Sequence, residues 1–258
     1  MKLLRSIFLI MNLKALIAVS LSLISTYVCL HFNLIAEVSQ SIIAIAVVFP
    51  IVFSIGGAYT RRETALRDYS NIKAHSRSIY LASRDWLEPA NPALKDKSKV
   101  IIKDILISVR TLFLAKSSER EEKEKAVYKQ FSELSLYIKD VRNAGLASGE
   151  VSRLNQYLSK MAEAFENMKH VYQYRTPITL RAYSKIFVFL VPILYGPYFA
   201  HEAKDLYWAL GVINPLLFSL VLVSLDNIQD HLENPFDQVG EDDIKINAEK
   251  FVKNLDIE

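Results

Sequence analysis

The side chains able to do chemistry are few and dispersed. The five histidines, His31, His75, His170, His201 and His231, form no His-x-x-x-His or His-Glu-x-x-His pair, so the spacing offers no catalytic metal site. Cys29 is the only thiol; it can make neither an internal disulfide nor a multi-thiolate centre, and within a long apolar run its default role is that of a small buried hydrophobe. There is no Gly-x-Ser-x-Gly elbow, no phosphate loop ending in lysine and no dinucleotide glycine fingerprint, and Gly56-Gly57 is a lone pair inside an apolar run. The expectation is that this is not an enzyme. Two charge clusters remain. Arg61, Arg62 and Arg67 close an apolar run, where they could concentrate anions or anchor a span. Asp237, Glu241, Asp242 and Asp243 lie near the C-terminus, where carboxylates close in sequence suit a hard cation or form a solvated acidic turn.

The elements that must position these groups divide sharply by polarity. Of 258 residues 51% are hydrophobic and 23% charged, and the two populations are segregated along the chain. Seven glycines and eight prolines argue against a many-turned all-β chain, and a net charge of +3 is too mild to suggest nucleic-acid binding. Roughly 22 uncharged positions separate Lys14 from Glu37, and roughly 23 separate Glu37 from Arg61, each long enough to cross a bilayer as helix. A cleaved signal peptide competes for the first run, but the run is long and a second span follows at once. Ile186 to His201 is shorter and holds Pro192 and Pro197; Leu206 to Leu225 is long enough. The third span should therefore be kinked, with its freed carbonyls satisfied by neighbouring helices or water.

Lys2, Arg5 and Lys14 precede the first span and Arg61, Arg62 and Arg67 crowd the end of the second, which places both termini and the middle segment in the cytoplasm. The expected layout is an N-terminal segment with spans one and two over 1–60, a helical cytoplasmic domain over 61–182, spans three and four over 183–226, and a cytoplasmic acidic tail over 227–258. A bacterial inner membrane or a plasma membrane is the expected location. Within the insert, Val151, Leu154, Leu158, Met161, Phe165, Met168 and Tyr172 recur at helical spacing. Ile101 to Phe113 and Val127 to Val141 repeat the pattern, and Ser118-Glu119-Arg120-Glu121 reads as a capping box. No Gly or Pro interrupts Ala58 to Trp86, so the second span should run on as one helix. No sheet is expected; the fold class is all-α, a membrane protein of four transmembrane helices plus a helical cytoplasmic bundle.

With this layout, three stretches in order resemble the bestrophin family of channels. They are FPIVFSIGGAYTRRETALR from Phe49 to Arg67, Arg175-Thr176-Pro177-Ile178, and DNIQDHLENPFDQVGEDD from Asp226 to Asp243. The Asn-Pro-Phe after an acidic helix end is the most specific of them. The chain also departs from the family: Arg62 and Glu63 stand where members often carry a Trp pair, and Gly56-Gly57 where they are usually bulkier.

The resemblance implies a homopentamer in a lipid membrane, passing monovalent anions such as chloride or bicarbonate through a central pore lined by the second span. It puts the apolar neck on Ile45, Phe49 and Phe53. Residues four apart stack on one helix face, so five copies would form three rings. The same phenyl groups could instead pack on lipid or other helices, and a shifted register would bring in Ile42 and Ala46. A second, cytoplasmic constriction falls near Val151 and Leu154, for which core packing is equally open. Arg61, Arg62 and Arg67 would charge the vestibule. No cofactor is required; by analogy with animal members Asp237, Glu241, Asp242 and Asp243 are a possible calcium site, although Lys245 follows the run and prokaryotic relatives generally lack it. A cation-selective homologue and a non-conducting membrane scaffold are the rival readings.

Overall fold

A computed structural model describes residues 12–37, 40–205, 207–238 and 243–256, the side chains of 40–44, 46 and 205 excepted. The described elements are α1 (Leu13–His31), α2 (Gln40–Asp85), α3 (Pro92–Leu114), a 3₁₀ turn (Ser117–Glu119), α4 (Arg120–Asn143), α5 (Ser148–Gln173), α6 (Ile178–Leu194), α7 (Gly196–Asp205), α8 (Leu210–Glu233) and α9 (Ala248–Leu255). Among the described residues every regular element is helical. They fall into two units: residues up to Thr60 with Arg175–Glu233, and Arg61–Tyr174 with the residues from Asn234 on.

The first unit packs α1, α6, α7, α8 and the opening turns of α2. α1 turns a stripe of small residues inward, Ala15, Ala18, Ser22, Thr26 and Cys29. In lipid there is no water to drive helices together, and small residues let backbones approach closely enough for dispersion to hold them. The large residues of α1, including Leu13, Leu16 and Ile24, point outward. Val47, Ile51, Val188, Val191, Tyr195, Phe199, Leu222 and Val223 complete the core, and Tyr195, Phe199 and Phe218 cluster with ring centroids 5.1–6.0 Å apart. α1, the α6–α7 segment and α8 are each long and apolar enough to cross a bilayer.

The expected kink between Pro192 and Pro197 is a break between α6 and α7 at Tyr195. Pro197 has no N–H, so the Ile193 carbonyl four residues earlier loses its helical donor. The Ser25 hydroxyl of α1 donates to that carbonyl at 2.8 Å, and the Ser22 hydroxyl donates to the Pro192 carbonyl at 3.3 Å. A neighbouring helix thus satisfies the break, as an apolar surrounding requires.

The second unit holds the rest of α2 with α3, α4, α5 and α9. The three apolar stripes expected in the insert turn to the core: Ile101, Ile102, Ile105, Val109, Leu112 and Phe113 on α3, Val127, Phe131, Leu134, Ile138 and Val141 on α4, and Val151, Leu154, Met161, Phe165, Met168 and Tyr172 on α5 are buried, and Leu158 on α5 is partly buried against them. Asn91 caps α3, its Oδ1 accepting from the Leu94 N–H at 3.2 Å ahead of Pro92 at the first helical position. Gly145, at φ +104°, ends α4 in a conformation that only glycine adopts without strain. The expected capping box is not formed. The chain enters α4 through the 3₁₀ turn, and Glu119 occupies the N-cap with no side-chain hydrogen bond. α2 is one helix from Gln40 to Asp85, with Pro50 inside it.

Candidate functional site

Helical period divides the part of α2 that belongs to the first unit into two faces. Val47, Ile51, Ser54 and Ala58 are buried against the first unit. Ile45, Phe49 and Phe53 lie on the other side and are 64%, 60% and 63% exposed in the single chain. The Phe49 and Phe53 rings meet edge to face, 4.5 Å between centroids and 72° between planes, a geometry set by the attraction of a ring edge for a ring face. One turn further on, the stripe loses its side chains at Gly56 and Gly57, both exposed, and continues to exposed Thr60. Ile42 and Ala46 carry side chains outside the described set.

In the second unit Arg61 and Arg62 are half-buried and Arg67 is exposed. The Arg62 guanidinium pairs with Glu63 at 2.5 Å, so part of its charge is locally balanced. Asp68, one position past Arg67, is buried, and burial raises its carboxyl above the ordinary range despite hydrogen bonds from Asn167 and Asn71. Val151 is 8% exposed and Leu154 wholly buried, both packed in the core of this unit. Core packing is one of the two roles the sequence leaves open for them, and in the single chain neither faces a passage.

The acidic stretch is only partly described. Asp237 is exposed and accepts from the Asn234 side-chain amide at 3.1 Å, and Asp243 is half-buried. Glu241 and Asp242 lie outside the described residues. Among the described residues no three His, Cys, Asp or Glu side chains converge.

The Asn-Pro-Phe motif has a clear structural task. Phe236 is 2% exposed and stacks on Phe113 at 4.2 Å, and the Ile244 N–H donates to the Pro235 carbonyl at 2.8 Å. Gln238 holds the loop at φ +64°, its side-chain amide donating to the carbonyls of Phe236 and Ile244 at 3.4 and 3.2 Å. Beyond it α9 packs Ala248, Phe251 and Leu255 into the second unit. Asp256 receives the Tyr80 hydroxyl at 3.0 Å and the Lys99 ammonium at 2.6 Å, and these two partners hold its carboxyl below the ordinary range.

Two polar bands in the first unit were not foreseen as sites. At one end of α8, Lys14 reaches Asp230 at 2.5 Å and Asp226 at 3.4 Å, Asn12 donates to Asn227 at 3.0 Å, and Arg181 pairs with nearly buried Glu233 at 3.2 Å. At the other end Glu202 receives Tyr198 at 2.7 Å and Asn214 at 3.0 Å, beside exposed Tyr207 and Trp208. An apolar belt between polar bands, with aromatic residues at one edge, is the pattern a bilayer imposes. The available sequence signal was the i, i+4 and i, i+7 spacing of Asp226, Asp230 and Glu233 on one helix face. Nothing in it told a partnered face from a solvated one.

The described residues thus define an all-helical integral membrane protein built from two helical units. No known protein family matches the sequence, and no curated protein matches it. Among solved structures, the fold is that of bacterial bestrophin homologues. A homologue from Klebsiella pneumoniae superposes with a TM-score of 0.75 at 17% identity, covering 94% of this chain and 96% of that one. A tryptophan-to-alanine variant of the same homologue gives 0.76 at 15% identity, over 94% and 95%. A structure described only as a membrane protein gives 0.74 at 17%, over 94% and 96%.

Proposed function

We propose that this chain is a bestrophin-type ion channel, assembling as a homopentamer whose four spans per subunit include the start of α2, and passing monovalent anions down their gradient. The observation that carries the reading is the stripe of Ile45, Phe49 and Phe53, exposed on a helix whose opposite face is packed. Five copies around an axis would close these side chains into apolar rings. Water leaves such a constriction readily, so a slight widening switches it between dry and conducting states. Phenyl edges carry partial positive charge and favour an anion that is shedding water. Arg61, Arg62 and Arg67 would raise the local anion concentration inside the cell, and the positive-inside pattern sets both termini in the cytoplasm. No step of conduction is routed through calcium.

The test is reconstitution in planar bilayers with a potassium chloride gradient, alongside the mass of the intact oligomer. Reversal near the chloride potential from a pentamer is the expected result. Reversal near the potassium potential would replace the anion reading with a cation-conducting channel. Silence from a verified pentamer and from its Phe49→Ala variant would replace both with a membrane scaffold.

A further inference from the structure

The second unit contains a cavity of about 640 Å³ between the extramembrane part of α2 and α9. Its volume falls within the ~300–1,000 Å³ of small-molecule sites and far exceeds what one hydrated halide fills. Lys73 and Arg77 enter it from α2, Lys245 and Lys250 from the segment around the start of α9, and no carboxylate is among the described lining residues. Glu249, next to Lys250, is turned to Arg110 at 3.4 Å. The apolar part of the wall is made by Tyr69 and Phe251, both largely buried. The Lys73 ammonium lies 4.5 Å from the centre of the Tyr69 ring, which steadies a long, flexible cation at the wall.

Four cations converging on one concavity lined by aromatic rings form an electrostatic basin for a polyanion, with an apolar surface for a flat group beside it. Asn247 reinforces the site by capping α9, its Oδ1 accepting from the Lys250 N–H at 2.8 Å, which fixes the backbone that carries Lys245 and Lys250.

We propose that this cavity binds a soluble organic phosphate with a planar ring, the phosphate held by Lys73, Arg77, Lys245 and Lys250 and the ring set against Tyr69 and Phe251. Conduction does not need the site, so it stands or falls apart from the channel reading.

The test is a fluorescence titration of full-length protein in detergent at physiological salt, with flavin mononucleotide as probe and riboflavin as its phosphate-free control. Quenching by nearby tyrosine reports occupancy. Flavin mononucleotide should saturate at roughly micromolar to tens of micromolar concentration, with riboflavin at least about tenfold weaker. Pyrophosphate should compete. The double variant Lys73→Ala/Lys250→Ala should bind at least about tenfold more weakly, because it loses two charge-assisted contacts, while Lys129→Ala on exposed surface elsewhere should bind as the parent. Melting curves establish that each variant is folded; should the double variant not be, Lys245→Ala is read in its place. Equal binding of riboflavin, no saturation below about 1 mM, or a folded variant that binds like the parent would each overturn the proposal. Displacement by vesicles bearing phosphoinositides but not by pyrophosphate would move the site from a soluble phosphate to a lipid headgroup.

Discussion

Gly196 stands at the break between α6 and α7, against Ser25 of α1, and Gly196→Ala tests the account of that break. A methyl group there would collide with the Ser25 hydroxyl and lie 3.1 Å from both the Ser25 Cβ and its carbonyl carbon. The hydroxyl can rotate away only by leaving the Ile193 carbonyl, which Pro197 has already deprived of a helical donor. The backbone contact persists even then. Overpacking costs about 1–3 kcal/mol, and the lost interhelical hydrogen bond about 0.6–1.7 kcal/mol. Alanine returns up to about 1 kcal/mol of helix propensity, leaving a net loss of about 1–4 kcal/mol. The unfolding midpoint in detergent should fall by about 2–8 °C. Ser25→Ala alone should cost only the hydrogen bond, and because the two changes share one contact, the double variant should lose about 1 kcal/mol less than the sum. A Gly196→Ala protein melting at the parent temperature, or strict additivity, would refute the argument.

Other consequences are testable in the same detergent preparation. Phe236→Ala removes a ring stacked on Phe113 and should cost about 3–5 kcal/mol, with faster proteolysis around 238–243; a parent-like proteolysis rate would show that Phe236 does not fasten the tail. Arg181→Ala leaves nearly buried Glu233 without its ion pair and should cost about 2–4 kcal/mol, most of it recovered in Arg181→Ala/Glu233→Gln; no recovery would mean that lost packing, not charge, is responsible. His75 lies 5.7 Å from the Tyr157 ring, and burial, reinforced by Lys160, lowers its imidazole below 6.5. Protonation is then easier in the unfolded chain, so its contribution is intact above pH 6.5 and lost as pH falls through the lower folded value. His75→Gln should flatten stability against pH in that window, and an unchanged slope would assign the pH dependence elsewhere.

Much of the fold was legible because it rests on period. The stripes on α3, α4 and α5 reach the core at the expected positions, since a helix alternating polar and apolar at 3.6 residues has one face to bury. The prolines of the α6–α7 segment located the break, but not the Ser25 hydroxyl that satisfies it, because a partner on another helix leaves no local mark. The entry to α4 was misread: Ser118-Glu119-Arg120-Glu121 has the composition of a capping box, but the 3₁₀ turn shifts the N-cap to Glu119. The site divides the same way. The four-residue spacing of Ile45, Phe49 and Phe53 placed them on one face. The basic cavity was invisible, because Lys73 and Lys250 are far apart in sequence and only the docking of α9 brings them together.

The exposed stripe of α2 can be tested against the other outward faces of the same unit. On α1, Leu13, Leu16 and Ile24 present large apolar groups over most of the span, as a lipid-facing helix should. The α2 stripe instead passes from Ile45, Phe49 and Phe53 to Gly56, Gly57 and Thr60, giving up its side chains within a turn. Contact with lipid gains nothing from that loss, whereas a passage narrow at the phenyl groups and wider beyond them gains room for an ion to regain water. The space beside the Gly56 Cα is open, with no neighbouring atom within 4 Å of where a side chain would begin, so cysteine fits there without strain. With Cys29→Ser as background, Gly56→Cys should react with a charged, membrane-impermeant thiol reagent supplied from both sides, while Ile24→Cys on α1 should not. Modification at Ile24 but not at Gly56 would place the α2 stripe against lipid and remove the neck from this helix face.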